Sequence, residues 1–403
     1  MLRRSLLPLA AVLCLPIAVT ASGADPATPD LSGVPGVVVA HSPASSGLYI
    51  GSPGLTRLPD GALLASHDFF GPKSKEFEIA QSHVYRSDDD GKTWSHVAQI
   101  EGAFWSSLFV HRGDAYLFGT RAHHGDLVLR RSTDGGRTWT DPKDAASGLL
   151  RPAPWHCAPV PVVEHDGRLW RGVENASFGK KWGERYAAAV ISAPVDADLL
   201  NADSWTVAGP LPRDPDWLDG TFLGYLEGNV VVTPDGGLVD LLRVNTSGDN
   251  RSEQAALVRV IDDGKKLRFE PGDGDLSTGG FVPMPGAAKK FSVRPDPNGD
   301  GYWTLANLVR PEHADKNPGS VRNTLALMHS PDLTTWTVRR EVLHHPDVIA
   351  HAFQYVDWLY DGDDLIVLSR TAYADGLGGA HRAHDANLLT FHRVENYRDA
   401  GEE

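Results

Sequence analysis

Arginine recurs in this acidic chain at corresponding points of a repeating pattern. Arg121, Arg243, Arg310 and Arg370 stand at or just beyond the second strand of four apolar hairpins. At the same point of the six hairpins lie His67 and Asp68, His123 and His124, Glu174 and Asn175, Asn245, Asn307, and Tyr373. Where the first strands begin stand Tyr49, Trp105, Trp155 with His156, Tyr225 with Glu227, Lys290 and Gln354. Aromatic rings stack on sugar faces, while Asn, Gln and Arg bond hydroxyls and carboxylates. Cations gathered against a net charge of −14 suit an anionic sugar such as a uronate or sialate.

Six hairpins must bring these residues together. Each is an apolar strand, a tight Gly/Asp turn and an apolar return: LTRLPDGALLAS, LFVHRGDAYLFGT, VPVVEHDGRLWRGV, NVVVTPDGGLVDLL, SVRPDPNGDGYWTLA and VDWLYDGDDLIVLS. Their turn glycines, from Gly61 to Gly362, recur roughly every 50 to 70 residues, the period of propeller blades. Two copies of Ser-x-Asp-x-Gly-x-Thr-Trp follow the first two hairpins, at Ser87–Trp94 and Ser132–Trp139. Their Ser and Asp side chains can bond nearby backbone N–H groups, and glycine supplies positive φ. A shortened copy runs from Ser330 to Trp336, and a looser trace from Ser192 to Trp205. The expected fold is an all-β propeller of six blades, with GVVVA near the N-terminus closing the last. First-strand starts and second-strand ends then share one mouth of the central channel.

Arg3 and Arg4, an apolar run from Leu6 to Val19 and small residues to Ala24 form a secretory signal peptide. Residues 1–24 are thus expected to be removed, leaving 25–403 as one propeller domain that is secreted or periplasmic. The apolar run is too short to span a membrane comfortably. Only Cys157 lies beyond the leader, which leaves no intrachain disulfide. So acidic a chain is a poor nucleic-acid binder. We expect a monomer whose partner is an acidic oligosaccharide.

The Ser-x-Asp-x-Gly-x-Thr-Trp repeats match the Asp-box of sialidase-like propellers. An exo-sialidase carries Phe/Tyr-Arg-Ile-Pro at its first strand, whereas Tyr49-Ile50-Gly51-Ser52 stands here without the arginine. The stretches GLYIGSPGLTRLPDGALLASHDFFGPKS and HAFQYVDWLYDGDDLIVLSRTAY resemble glycoside hydrolase family 145 and the rhamnose-α-1,4-glucuronate lyases of polysaccharide lyase family 42. That resemblance implies seven blades, activity on rhamnose-capped glucuronate of arabinogalactan-type glycans, and a catalytic histidine, best placed at His67. β-Elimination needs a base, a neutralised carboxylate and an acid for the leaving oxygen. His67 suits the base or acid. Arg310, Arg370, Lys290, Asn307 and Gln354 suit the carboxylate, and His123, His124, His156 or Tyr373 a second proton transfer. Trp105, Arg121, Arg243, Glu174 and Glu227 complete the expected contacts. Calcium on the axis is the one cofactor considered, although no dedicated loop is visible. Hydrolysis would instead recruit Glu174 and Glu227, the axial glutamates. The second reading is a sialidase-type glycoside hydrolase on another sugar, and the third a non-catalytic glycan-binding propeller.

Overall fold

Apolar alternation between tight turns leaves this chain little choice but antiparallel sheets, and the computed structural model is built of them. It describes residues 28–247, 253–272 and 274–399. These hold 27 strands and five 3-10 turns in six sheets of four or five strands. The leader expected at 1–24 lies outside the described residues. No helix among those described is long and apolar enough to cross a membrane.

Each sheet is one blade. Blade 1 pairs Tyr49–Ile50 and Gly54–Arg57 with Leu63–Phe70, then adds Gln81–Ser87 and Ser95–Glu101. Blade 2 begins at Phe104–His111, blade 3 at Trp155–His156, blade 4 at Phe222–Val232, blade 5 at Ser292–Pro295 and blade 6 at Ala352–Asp361. The outermost strand of blade 6 is Val37–His41, which pairs antiparallel with Leu388–Val394. The N-terminal strand thus closes the ring. Six blades complete it, against the seven that the family resemblance implied.

The hydrophobic core lies between blades. One cluster joins blades 1 and 2 through Leu64, Val84, Leu108 and Leu117. Others join blades 2 and 3 (Phe118, Trp205), 3 and 4 (Trp170, Val230), 4 and 5 (Leu257, Met328), 5 and 6 (Leu305, Trp358) and 6 and 1 (Leu368, Leu63). Burial at six interfaces, rather than at one centre, leaves the axis open for polar groups.

The Asp-boxes close the outer hairpins. Gly91 N–H donates to Ser87 Oγ at 2.8 Å, Thr93 N–H to Asp89 Oδ1 at 2.9 Å, and Trp94 Nε1 to Gly91 O at 3.0 Å. The second copy repeats these bonds at Ser132, Asp134, Thr138 and Trp139. In the shortened copy Leu333 takes the left-handed place of glycine, with φ 70°. The box also seals a blade interface. Gly91 has φ +85°, and a Cβ there would meet Phe391 Cε1 of blade 6 at 2.2 Å. Gly91→Ala should therefore cost about 2–3 kcal/mol, from combined strain and overpacking. The denaturant midpoint of the variant tests this, and an unchanged midpoint would refute the sealing role.

Candidate functional site

Three first strands are interrupted at the same height. Bulges fall between Phe104 and Ser107, Leu226 and Asn229, and Gln354 and Asp357. Each contains one non-glycine residue in the left-handed region: Trp105 (φ 50°), Glu227 (φ 59°) and Tyr355 (φ 54°). Such a conformation costs about 1–3 kcal/mol and persists only where the surroundings enforce it. A bulge re-aims a side chain out of the strand alternation. All three residues line one cavity of about 430 Å³ at the mouth of the channel.

Three guanidiniums meet in that cavity around Tyr355. The Tyr355 hydroxyl interacts electrostatically with both Arg243 and Arg322. The Arg370 guanidinium lies 4.8 Å from the centre of the Tyr355 ring and 4.4 Å from that of Phe70. Arg243 also holds Glu227, with Nη1 at 3.2 and 3.1 Å from its carboxylate oxygens. All three arginines are buried, and burial pulls Arg370 down to about 10. Among the described residues, Arg243 Nε and Arg370 Nε have no hydrogen-bond partner. Desolvated cations with unused donors are an anion-binding arrangement.

The opposite wall carries carboxyl groups and aromatics. Asp68 Oδ1 accepts from Ser52 N–H at 2.8 Å and Oδ2 from Trp105 N–H at 2.6 Å. Burial pushes Asp68 up to about 7 against those two bonds. Gly51 makes room for it, since a Cβ there would lie 1.6 Å from Asp68 Oδ1. Glu76 sits on the loop after Leu63–Phe70, its Oε2 accepting from Gly71 N–H at 2.9 Å and Ser74 Oγ at 3.0 Å. Its Oε1 lies 3.4 Å from His123 Nδ1. Trp105 packs on His156 and His123, with ring centres 4.4 and 4.7 Å away, and half-exposed Trp182 joins them at the rim.

Of the residues expected from sequence, Arg370, His123, Trp105, His156, Glu227 and Arg243 line the cavity. Four others stand behind it. Glu174 lies 2.7 Å from His156 Nδ1, and burial pushes this carboxyl up to about 8 and the imidazole down to about 3. His124 Nε2 is 2.8 Å from the Tyr186 hydroxyl. Gln354 Oε1 accepts from Arg322 Nη1 at 2.9 Å, and Asn307 Nδ2 donates to Arg322 O at 3.1 Å. Both therefore position an arginine.

Five expected residues lie elsewhere. His67 faces away from Asp68 because strand neighbours point to opposite sides. It is 1% exposed, packs on Phe69 and Tyr85, and donates from Nδ1 to Asp68 O at 2.9 Å. Tyr373 packs on His351 and Phe353. Arg121 lines an outer groove between blades 1 and 2, where Asp126 lies 3.6 Å away. Arg310 pairs with Glu312 at 3.2 Å and Glu341 at 3.3 Å. Lys290 is a buried strut whose Nζ donates to Ser292 Oγ at 2.6 Å. Among the described residues no group of three or more His, Cys, Asp or Glu is arranged to hold a metal ion.

Tyr355, Arg322, Arg382, Glu76, His384, Asp385 and Trp182 are among the cavity residues that sequence reasoning missed. Tyr355 alone had a signal there, at the same strand height as Trp105 and Glu227.

His67 gives a pH-dependent test. Burial holds it at about 3, below its ordinary 6.5, so between those values the unfolded chain binds more protons. Its stabilising effect is complete above about 6.5 and is lost as pH falls toward 3. His67→Phe should make the acid limb of the stability curve shallower by up to one proton. An unchanged acid limb in the folded variant would refute a neutral buried His67.

No protein-family model matches this sequence, and no curated protein sequence matches it. Solved structures do. A Dyadobacter fermentans protein of unknown function superposes with a TM-score of 0.59 at 14% identity, over 90% of this chain and 98% of its own. The Penicillium chrysogenum α-L-arabinanase, solved with arabinobiose, gives 0.54 at 17% identity, over 90% and 98%. The Hadza microbial sialidase Hz136 gives 0.57 at 16% identity, over 89% and 68%. At such identities the likeness establishes the architecture: this chain is a six-bladed β-propeller.

Proposed function

We propose that this protein hydrolyses a glycan at a sugar bearing a carboxylate, with Tyr355 as nucleophile. The observation that carries the reading is the meeting of Arg243, Arg322 and Arg370 around a tyrosine held in left-handed conformation. The guanidiniums neutralise the sugar carboxylate. A neutral hydroxyl approaches an anionic sugar without the repulsion that a carboxylate nucleophile would meet, and tyrosine serves in that role in some glycosidases. In the first step Tyr355 Oη bonds to the anomeric carbon as the glycosidic C–O bond breaks. Its proton passes to Glu227, and the leaving oxygen takes a proton from Glu76, beside His123. Water then attacks the anomeric carbon and returns a proton to Glu76, and the tyrosine oxygen departs with the proton from Glu227. Glu76→Gln should slow cleavage most for substrates with poor leaving groups. Equal slowing across leaving groups would remove Glu76 from the acid role.

The second reading is elimination that releases rhamnose from α-1,4-linked glucuronate. It is favoured by the same clamp, because guanidiniums on the carboxylate also stabilise an enolate-like intermediate, with Tyr355 as the base. Incubation with a rhamnose-capped arabinogalactan and with other uronate glycans separates the two. New reducing ends without ultraviolet absorbance mean hydrolysis. Absorbance of an unsaturated uronate rising with free rhamnose means elimination. Binding without either product would leave a glycan-binding propeller and overturn both.

A further inference from the structure

Beside the cavity lies a second hollow of about 450 Å³. Arg322, Arg382 and His384 border both, so the two share one wall. Arg322 is locked in that wall, with Nη1 on Gln354 Oε1 and Nη2 on Gly319 O, each at 2.9 Å. Arg382 bonds Asp385 through Nε at 2.9 Å, yet 63% of its side chain is exposed. Lys316 adds a third cationic group, and Ile349, 70% exposed, adds an apolar side. No aspartate or glutamate is among the described residues lining the hollow, in a chain with 52 acidic residues.

We infer that this hollow is a second anion subsite, which holds the charged group of the sugar next to the one bound at Tyr355. The inference rests on the function proposed above. Because Arg322, Arg382 and His384 line both hollows, neighbouring sugars of one chain can place an anion on each side of them. The apolar flank of Ile349 suits the C–H face of a sugar ring. The substrate class is therefore an oligosaccharide with anions on adjacent residues, either carboxylate or sulfate ester. A single isolated uronate leaves half of the site unused.

Binding measured by calorimetry tests this without requiring turnover. The probes are a monouronate, a 1,4-linked diuronate, the same disaccharide with its second carboxyl reduced to an alcohol, and a uronate linked to a sulfated neutral sugar. Wild type should bind the diuronate about tenfold or more tightly than its reduced analogue, as expected for charge-assisted contacts. Lys316→Ala should shrink that difference and leave monouronate affinity in place. Ser320→Glu, at an exposed position on the lining, should abolish it by repulsion. Equal affinity of diuronate and reduced analogue in wild type overturns the subsite and leaves the first site standing. Failure of every probe to bind overturns both. Tighter binding of the diuronate without cleavage of any probe overturns the proposed hydrolysis and keeps the subsite. Preference for the sulfated probe supports the subsite and assigns it to a sulfate ester.

Discussion

Tyr355→Phe should lower kcat by about a thousandfold or more while leaving the fold and substrate binding nearly intact. The ring still packs between Arg322 and Arg370, whose guanidiniums lie 5.5 and 4.8 Å from its centre. What disappears is the hydroxyl, with its electrostatic interaction with Arg243 and Arg322. Those arginines keep other anchors, Glu227 for the first and Gln354 with Gly319 O for the second. The effect should thus fall on the chemical step and not on KM. The same outcome is expected whether the hydroxyl attacks the anomeric carbon or abstracts a proton, so the variant tests the residue and the product analysis tests the reaction. A Tyr355→Phe protein that turns over within tenfold of wild type would remove tyrosine from the mechanism. It would transfer attention to Glu227 as the nucleophile.

Arg243→Ala should be nearly as damaging, in a different way. Arg243 is the cavity's bridge: it bonds the Glu227 carboxylate and interacts electrostatically with Tyr355. Removing it strands Glu227, which is 3% exposed, as an uncompensated buried charge. Breaking one side of a buried pair costs about 3–5 kcal/mol, a large share of the stability of any domain. Removing a charge-assisted bond to substrate costs roughly 1.5–3 kcal/mol more in binding, or about 10- to 150-fold. The two effects separate in a double variant. Arg243→Met with Glu227→Gln should recover much of the stability and none of the affinity for an acidic sugar. A carboxyl-reduced sugar should lose little further affinity in the variant, because the interaction it lacks is the one removed. If acidic and reduced sugars lose affinity equally, Arg243 holds the site together without reading the carboxylate.

The architecture was legible because it is local. An Asp-box bonds its own backbone within eight residues, as Ser87, Asp89 and Thr93 do, so its geometry is written in adjacent positions. The hairpins carry apolar alternation and turn glycines side by side, and six of them sum to a ring. Even the closing strand, Val37–His41, announces itself as a β-prone segment with no partner nearby in sequence.

The site was half legible, and the misses have two causes. Strand side chains alternate with a period of two, so a shift of one residue reverses which face they occupy. His67 and Asp68 are adjacent, and only Asp68 reaches the cavity. Gln354 and Tyr355 are adjacent, and the bulge at that point turns Tyr355 inward while Gln354 braces Arg322. Composition and turn signals place a strand to within a residue or two, which is enough for a blade and too coarse for a catalytic group. Glu76, Arg322 and Arg382 lie off the sheets, on segments whose course depends on what they pack against. The sequence by itself determined six blades, their closure and the mouth where polar groups gather. Only the tertiary structure decided which of those groups face the cavity, because parity at a bulge and the path of a loop are set by contacts made far away along the chain.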